Sequence, residues 1–298
     1  MSVTGTVGIG RADADYEMVV GRVADDTPRP VARRVADAGA RGWLRVWSSR
    51  WTRFLGPLLI LAIWQLAVTI GHLASDVLPS PATVWTTAGQ LIANGTLQSA
   101  LLISLQRVAL GLLLGVSIGT GLALLSGLSL VGERVIDPVM HMFRTMPVLA
   151  LLPLFVLWFG IGEKAKVYLI AWSVIFPIYI NLYAGIRSVD AKLVEAGSVL
   201  GLKRWGQIWH VILPGALPQF LTGLRLALGV SWLVLVAAEE INATSGLGYL
   251  ITNAQNLLQT NVIFVGLIVY SLLGLATDIL VRLIERFTLS WRSSFVKK

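Results

Sequence analysis

Residues 195–214 read EAGSVLGLKRWGQIWHVILP. They interrupt, with polar and basic side chains, a chain whose other long stretches are apolar, and hydrophobic segments stand close on both sides. Asp190 can cap a short helix that begins at Ala191 and carries Glu195 in its body. Gly201 can end that helix, because glycine accepts the left-handed conformation that closes one. A second short helical piece over residues 203–210 then leads to Leu213-Pro214, where apolar sequence resumes. A compact helix–glycine–helix held between membrane segments can seat on an aqueous partner and carry its motion into the flanking spans. The same residues also suit an ordinary amphipathic connection.

Composition sets the class. Hydrophobic residues make up 55% of the 298 and charged ones only 13%, against about 25% charged in soluble domains. With a mean hydropathy of +0.74 and several long apolar runs, the chain reads as an all-α integral membrane protein. There is no cysteine, which removes disulfides, thiolate metal sites and cysteine nucleophiles. His72, His141 and His210 are scattered, and no His-Glu-x-x-His pattern occurs, which leaves an intramembrane enzyme without its parts. The net charge of +8 does not indicate nucleic acid, because the basic residues fall at the ends of apolar segments, as membrane topology requires.

Six spans are expected, at about 57–70, 97–125, 136–158, 166–186, 219–236 and 262–283, within a membrane domain of 55–288. Residues 1–53 hold nine arginines, six acidic residues and no long apolar run, so they are expected to be a largely disordered basic tail. Its end, 41–54, alternates tryptophans with arginines, which suits a helix lying on the membrane face or the basic start of the first span. Residues 289–298 form a second tail. Both tails, Arg134, and the group Arg187, Lys192, Lys203 and Arg204 are basic, which places both termini and residues 195–214 in the cytoplasm. The turn with Lys164 and Lys166 is the exception. Gly111, Gly115 and Gly119 recur every four residues, a spacing that lets helix backbones approach, here within one subunit. Residues 81–93 are expected to be an outside amphipathic helix. Over 242–261 an outside half-helix is expected with Tyr249, Leu250, Ala254, Leu257 and Leu258 on its apolar face.

The opening stretch resembles the signature of permease subunits of bacterial ATP-binding-cassette importers: Glu-Ala-Ala, three residues, Gly, nine residues, Ile, one residue, Leu-Pro. Glu195, Ala196, Gly201, Leu213 and Pro214 match, Val211 stands for the isoleucine, and Gly197 for the third alanine. Leu78-Pro79-Ser80-Pro81, Arg144-Thr145-Met146-Pro147, Leu157 to Gly162, Phe176 to Tyr179 and Ser245 to Leu250 look like the branch handling aliphatic sulfonates, taurine and nitrate, which is close to permeases for thiamine-precursor pyrimidines. The resemblance covers about residues 56–288. It implies a bundle like that of methionine-importer permeases, with six spans, working as a homodimer in the bacterial plasma (inner) membrane. It also implies two copies of a partner ATPase, which bind the ATP and magnesium, and an extracytoplasmic substrate-binding protein. This chain itself is then no enzyme and needs no cofactor. Glu195, Ala196, Gly197, Gly201, Leu202, Leu213 and Pro214 would form the coupling helix region that docks on the ATPase. The chain has no Gly-x-x-x-x-Gly-Lys-Ser/Thr phosphate loop of its own.

Charges within spans are expensive and tend to face a cavity or a partner. A guanidinium suits an oxyanion, so Arg107 and Arg144 are candidate pathway residues, although Arg144 and Arg225 also suit snorkelling at span ends. Ser173, Asn181 and Ser231 are the candidate polar contacts on spans three to five. Glu239 and Glu240 fit as arginine partners or caps of an outer gate, and Asp278 as the i+4 partner of Arg282. An ion-coupled secondary transporter is the competing class; it calls for repeat symmetry between halves, which the sequence does not display.

Overall fold

Long runs of leucine, valine and alanine become helices, and among the described residues no strand forms. The structure, a computed structural model, describes residues 52–70 and 77–289. The readings made for residues 1–51 and for 290–298 fall outside the described residues. The chain divides into two units, Met1–Ile63 and Trp64–Lys298. Of the first, the described part is helical and begins helix α1, Thr52–Ile70.

The second unit continues with α2 (Pro81–Ala93), α3 (Thr96–Gly127), α4 (Leu130–Arg144), a 3-10 turn at Val148–Leu151, α5 (Leu152–Phe159) and α6 (Glu163–Arg187). After these come α7 (Ala191–Val199), α8 (Arg204–Gln207), a π-turn at Ile208–Ile212, α9 (Leu213–Asn242), α10 (Leu247–Asn256) and α11 (Thr260–Thr288). Ser80 caps α2 by accepting from the Thr83 N–H at 3.1 Å, and Pro81 occupies its first turn.

A membrane-crossing helix needs about 20 apolar residues. Among the described residues four helices meet that length: Thr96–Gly127, Glu163–Arg187, Arg204–Ile241 and Thr260–Thr288. The expected third span, 136–158, is not one rod. The chain bends by 91° between Leu130–Arg144 and Val148–Phe159. Pro147 causes this, since the residue before a proline is driven out of helical conformation. The apolar helix Leu58–Ile70 is shorter than a full crossing. With the bent pair counted as one span the described residues give five, against the six expected.

Helix α6 is central. It is apolar on nearly every face, and Leu169, Ile170, Val174 and Ile178 have no exposed surface. Helix α3 packs on it through one stripe: Arg107, Gly111, Gly115, Gly119, Ala123 and Ser126. A Cβ at Gly115 would fall 2.6 Å from both the Ala171 carbonyl oxygen and Val174 Cβ; at Gly119 it would fall 2.8 Å from the Ile175 oxygen. The glycines are therefore spent on a seam inside one subunit. Lipid tails are as apolar as leucine, so close van der Waals packing is what holds such helices together. Helix α9 packs on the other side of α6, where Gly223 meets the Pro177 oxygen.

The half-helix expected over 242–261 forms, but its buried face differs from the expected one. Leu247, Ile251 and Ala254 are buried, whereas Leu257 and Leu258 are exposed. The helix ends at Asn256 and Leu258 takes a φ of 58°, so those two leave the helical register.

Candidate functional site

Helix α6 ends and α9 begins beside α7 and α8, so the 195–214 element sits at one end of the bundle. Asp190 caps α7 through the Lys192 N–H at 2.9 Å. At its far end Gly201 has a φ of 87°. The Leu202 N–H reaches the Gly197 carbonyl at 2.9 Å and the Gly201 N–H reaches Ser198 at 3.0 Å, the paired bonds of a Schellman close. Leu202 folds back toward Gly197, where a Cβ would sit 3.4 Å from Leu202 Cδ1. The Gln207 amide donates to Ser198 Oγ at 2.6 Å and to the Leu202 carbonyl at 3.3 Å, tying α8 to α7. Gly197 is thus buried, Leu202, Leu213 and Pro214 are half-buried, and Glu195 and Ala196 face outward. Beside them Val199 and Leu200 are 88% and 83% exposed.

The helical piece expected over 203–210 is not separate from the span that follows. It runs through the π-turn into α9 without a break. Pro214 lacks an N–H and its ring crowds the carbonyl four residues back. The wider turn, in which the Leu213 N–H reaches Ile208 O, takes up that misfit. The docking candidate and a membrane-length helix are one lever.

At the opposite end of the bundle lies a buried charge network. Arg107 is 2% exposed and Glu239 is 0% exposed. Arg107 Nη1 donates to Glu239 Oε1 at 2.5 Å and to the Ser245 carbonyl at 2.7 Å. Its other edge grips Glu163: Nε to Oε2 at 2.5 Å and Nη2 to Oε1 at 2.6 Å. Nη2 also reaches Ser245 Oγ at 3.1 Å. Glu239 accepts from Ser104 Oγ at 2.8 Å, the Gly248 N–H at 2.7 Å and the Tyr270 hydroxyl at 3.2 Å. Ser104 Oγ accepts in turn from the Leu247 N–H at 2.9 Å. Lys166 Nζ donates to Glu163 at 3.3 Å. A buried charge survives only when paired and hydrogen-bonded, and this network meets both needs while clamping α10 onto α3, α6, α9 and α11.

Of the predicted pathway residues, the structure brings Arg107 and Glu239 together. Arg144 is exposed at the end of α4. The buried hydroxyls of Ser173 and Ser231 each return to their own helix, to Ile170 O and Leu228 O at 2.7 Å. Asn181 donates to the Pro177 carbonyl at 2.8 Å. Sequence reasoning missed Glu163, Ser104, Ser245 and Tyr270. One signal pointed to Glu163. Lys166, an exception to the charge asymmetry, is buried against that carboxylate and so is no surface charge. Asp278 does meet Arg282, at 2.8 Å, and Arg225 joins them from α9 through Asp278 and Glu285.

Comparison with known proteins agrees with this architecture. An SsuC protein of Bacillus subtilis (strain 168), named as an aliphatic sulfonates transport permease, is 44% identical over 281 residues, covering 93% of this chain and 99% of that protein. The taurine transport system permease protein TauC of Escherichia coli (strain K12) is 37% identical over 255 residues, covering 84% and 93%. Among solved structures, the crystal structure of an amino acid ABC transporter with histidines superposes with a TM-score of 0.55 at 21% identity, over 66% of this chain and 96% of that one, which supports the fold. Residues 108–289 match the family described as binding-protein-dependent transport system inner membrane component. The chain belongs to that family: it is an inner-membrane permease subunit of an ATP-binding-cassette importer, working with an ATPase and a substrate-binding protein.

Proposed function

We propose that this permease carries an aliphatic sulfonate or taurine into the cytoplasm by alternating access. The observation that carries the mechanism is the unbroken helical path from Arg204 through the π-turn into α9. When ATP closes two partner ATPases, their approach moves the 195–214 elements of two permease copies, and each element moves its span as a rigid arm. Glu195 and Ala196, with the exposed Val199 and Leu200 beside them, present the ATPase-docking surface. Gly197, Gly201, Leu202, Leu213 and Pro214 hold that surface in shape. The solute reading is supported by the relatives named for sulfonates and taurine; nitrate and a thiamine-precursor pyrimidine are the alternatives within the class.

In this reading the 195–214 end and both termini face the cytoplasm, the charge network faces outward, and lipid covers the apolar outer helix faces. Arg107, Arg144, Ser173, Asn181, Ser231 and Glu239 belong to the path, with Arg107 and Glu239 at its outer end. The test is reconstitution in proteoliposomes with its partner ATPase and binding protein. ATP-dependent accumulation of labelled taurine or ethanesulfonate supports the proposal. Accumulation of nitrate or a pyrimidine alone would reassign the solute, and ion-driven uptake without an ATPase would overturn the mechanism.

A further inference from the structure

We infer that Arg107 and Lys166 form a binding site for a monoanionic oxyanion group, and that Glu163 fills this site while it is empty of solute. The inference rests on the proposed sulfonate reading and deepens it.

The network contains two cations and two carboxylates, and the carboxylates are not alike. Glu239 has no exposed surface and is fixed by donors from Ser104, Arg107, Gly248 and Tyr270. Its position is set by four helices, its own α9 with α3, α10 and α11. Glu163 is the other kind: its side chain is 59% exposed although both its cations are almost fully buried, Arg107 at 2% and Lys166 at 3%. It is the first residue of α6, and the loop before it contains Gly160 at a φ of 80°. Glu163 is therefore the partner that can leave without unpacking the bundle.

Taking Glu163 away leaves Arg107 and Lys166 against Glu239 alone, a surplus of one positive charge. The vacated edge of Arg107 is its Nε and Nη2 pair, the fork that binds two oxygens of one group. Lys166 Nζ stands beside the same carboxylate. Ser245 Oγ adds a hydroxyl 3.1 Å from Nη2. A carboxylate uses two oxygens here, and a sulfonate has three, enough for the Arg107 fork and Lys166 together. Charge and donor number both favour a monoanionic sulfonate over a neutral solute. Exchange of one anion for another keeps the buried arginine paired throughout, which avoids the cost of exposing it unpaired in an apolar bundle.

The experiment measures binding of labelled ethanesulfonate to the full-length permease in complex with its ATPase, in lipid nanodiscs without the binding protein. Uncharged dimethyl sulfone is the comparison ligand. Glu163→Gln keeps the shape and removes the competing charge, and Glu163→Ala removes the group. Relieving an internal competitor raises apparent affinity by the inverse of the fraction of time the site stood open, so both variants are expected to bind ethanesulfonate roughly tenfold tighter, with dimethyl sulfone unchanged. Adding Lys166→Gln to Glu163→Gln should remove that gain. If Glu163→Ala does not assemble, Glu163→Gln decides alone. Unchanged or weaker ethanesulfonate binding in an intact Glu163→Gln complex overturns the inference, even where the parent imports sulfonates. Tighter binding by the variant in an importer that moves no sulfonate would instead sink the proposed solute and leave the site standing.

Discussion

Replacing Glu239 by glutamine probes the charge network with almost no change of shape. The carboxylate accepts from Ser104 Oγ, Arg107 Nη1, the Gly248 N–H and the Tyr270 hydroxyl, and it has no exposed surface. Glutamine can keep its oxygen toward Arg107, but its amide then points donors at the Gly248 N–H. Removing one member of a buried pair typically costs about 3–5 kcal/mol. Arg107 retains Glu163, which places the expected loss at the low end, about 3 kcal/mol. The Gly248 N–H belongs to the first turn of α10, so the loss falls first on that helix. At 1.4 kcal/mol per factor of ten, opening of residues 247–256 should become roughly a hundredfold more frequent. Hydrogen exchange of those amides in the detergent-solubilised complex reads this directly, and equilibrium unfolding in mixed micelles reads the total. The double variant Arg107→Gln with Glu239→Gln should recover part of the loss, because no unpaired charge remains. A loss below about 1 kcal/mol, with Gly248 exchange unchanged, would refute the view that this carboxylate holds the half-helix in place.

Three further substitutions test the packing and the docking element. Gly115→Val drives its side chain into the Ala171 backbone oxygen and Val174, so it should cost about 2–3 kcal/mol and sharply reduce the yield of monodisperse protein. Gly201→Ala must hold alanine at a φ of 87°; a strain of about 1–2 kcal/mol should weaken ATPase co-purification while the spans stay folded by circular dichroism. Gly197→Ala places a methyl at ordinary contact distance, 3.4 Å from Leu202, and should raise the thermal midpoint through a helix preference of about 1 kcal/mol without loss of coupled ATP hydrolysis.

The spans were legible because twenty-residue apolar runs have few alternatives, and α3, α6, α9 and α11 sit where those runs lie. The helix–glycine–helix of 190–214 was legible because its signals are local: an aspartate cap at 190, a glycine close at 201 and a proline at 214 each act within a few residues. What sequence reading took for one span at 136–158 is bent, because Pro147 falls where a proline ends a helix instead of being absorbed by it. Pro214 had the opposite fate, since a π-turn absorbs it and the lever stays whole. The charge network was half legible. Arg107 and Glu239 stood out as charges in apolar surroundings, but their pairing spans 132 residues and Glu163 lies 56 residues from Arg107. Only the packing of α3 against α6 and α9 brings the three together, and the glycine stripe that permits it gives no hint of which carboxylates the arginine will meet.

The central claim is that residues 195–214 take motion from an ATPase and pass it to α9. Leu200 is 83% exposed, so Leu200→Asp changes the proposed docking surface with little effect on this chain's packing. The measurement is ATP hydrolysis stimulated by solute-loaded binding protein, in proteoliposomes holding permease and ATPase. The account predicts that Leu200→Asp folds normally and loses stimulated hydrolysis by roughly tenfold or more, as expected for an apolar anchor at a protein interface. A Leu200→Asp permease that binds the ATPase and shows the parent's stimulated rate would contradict it.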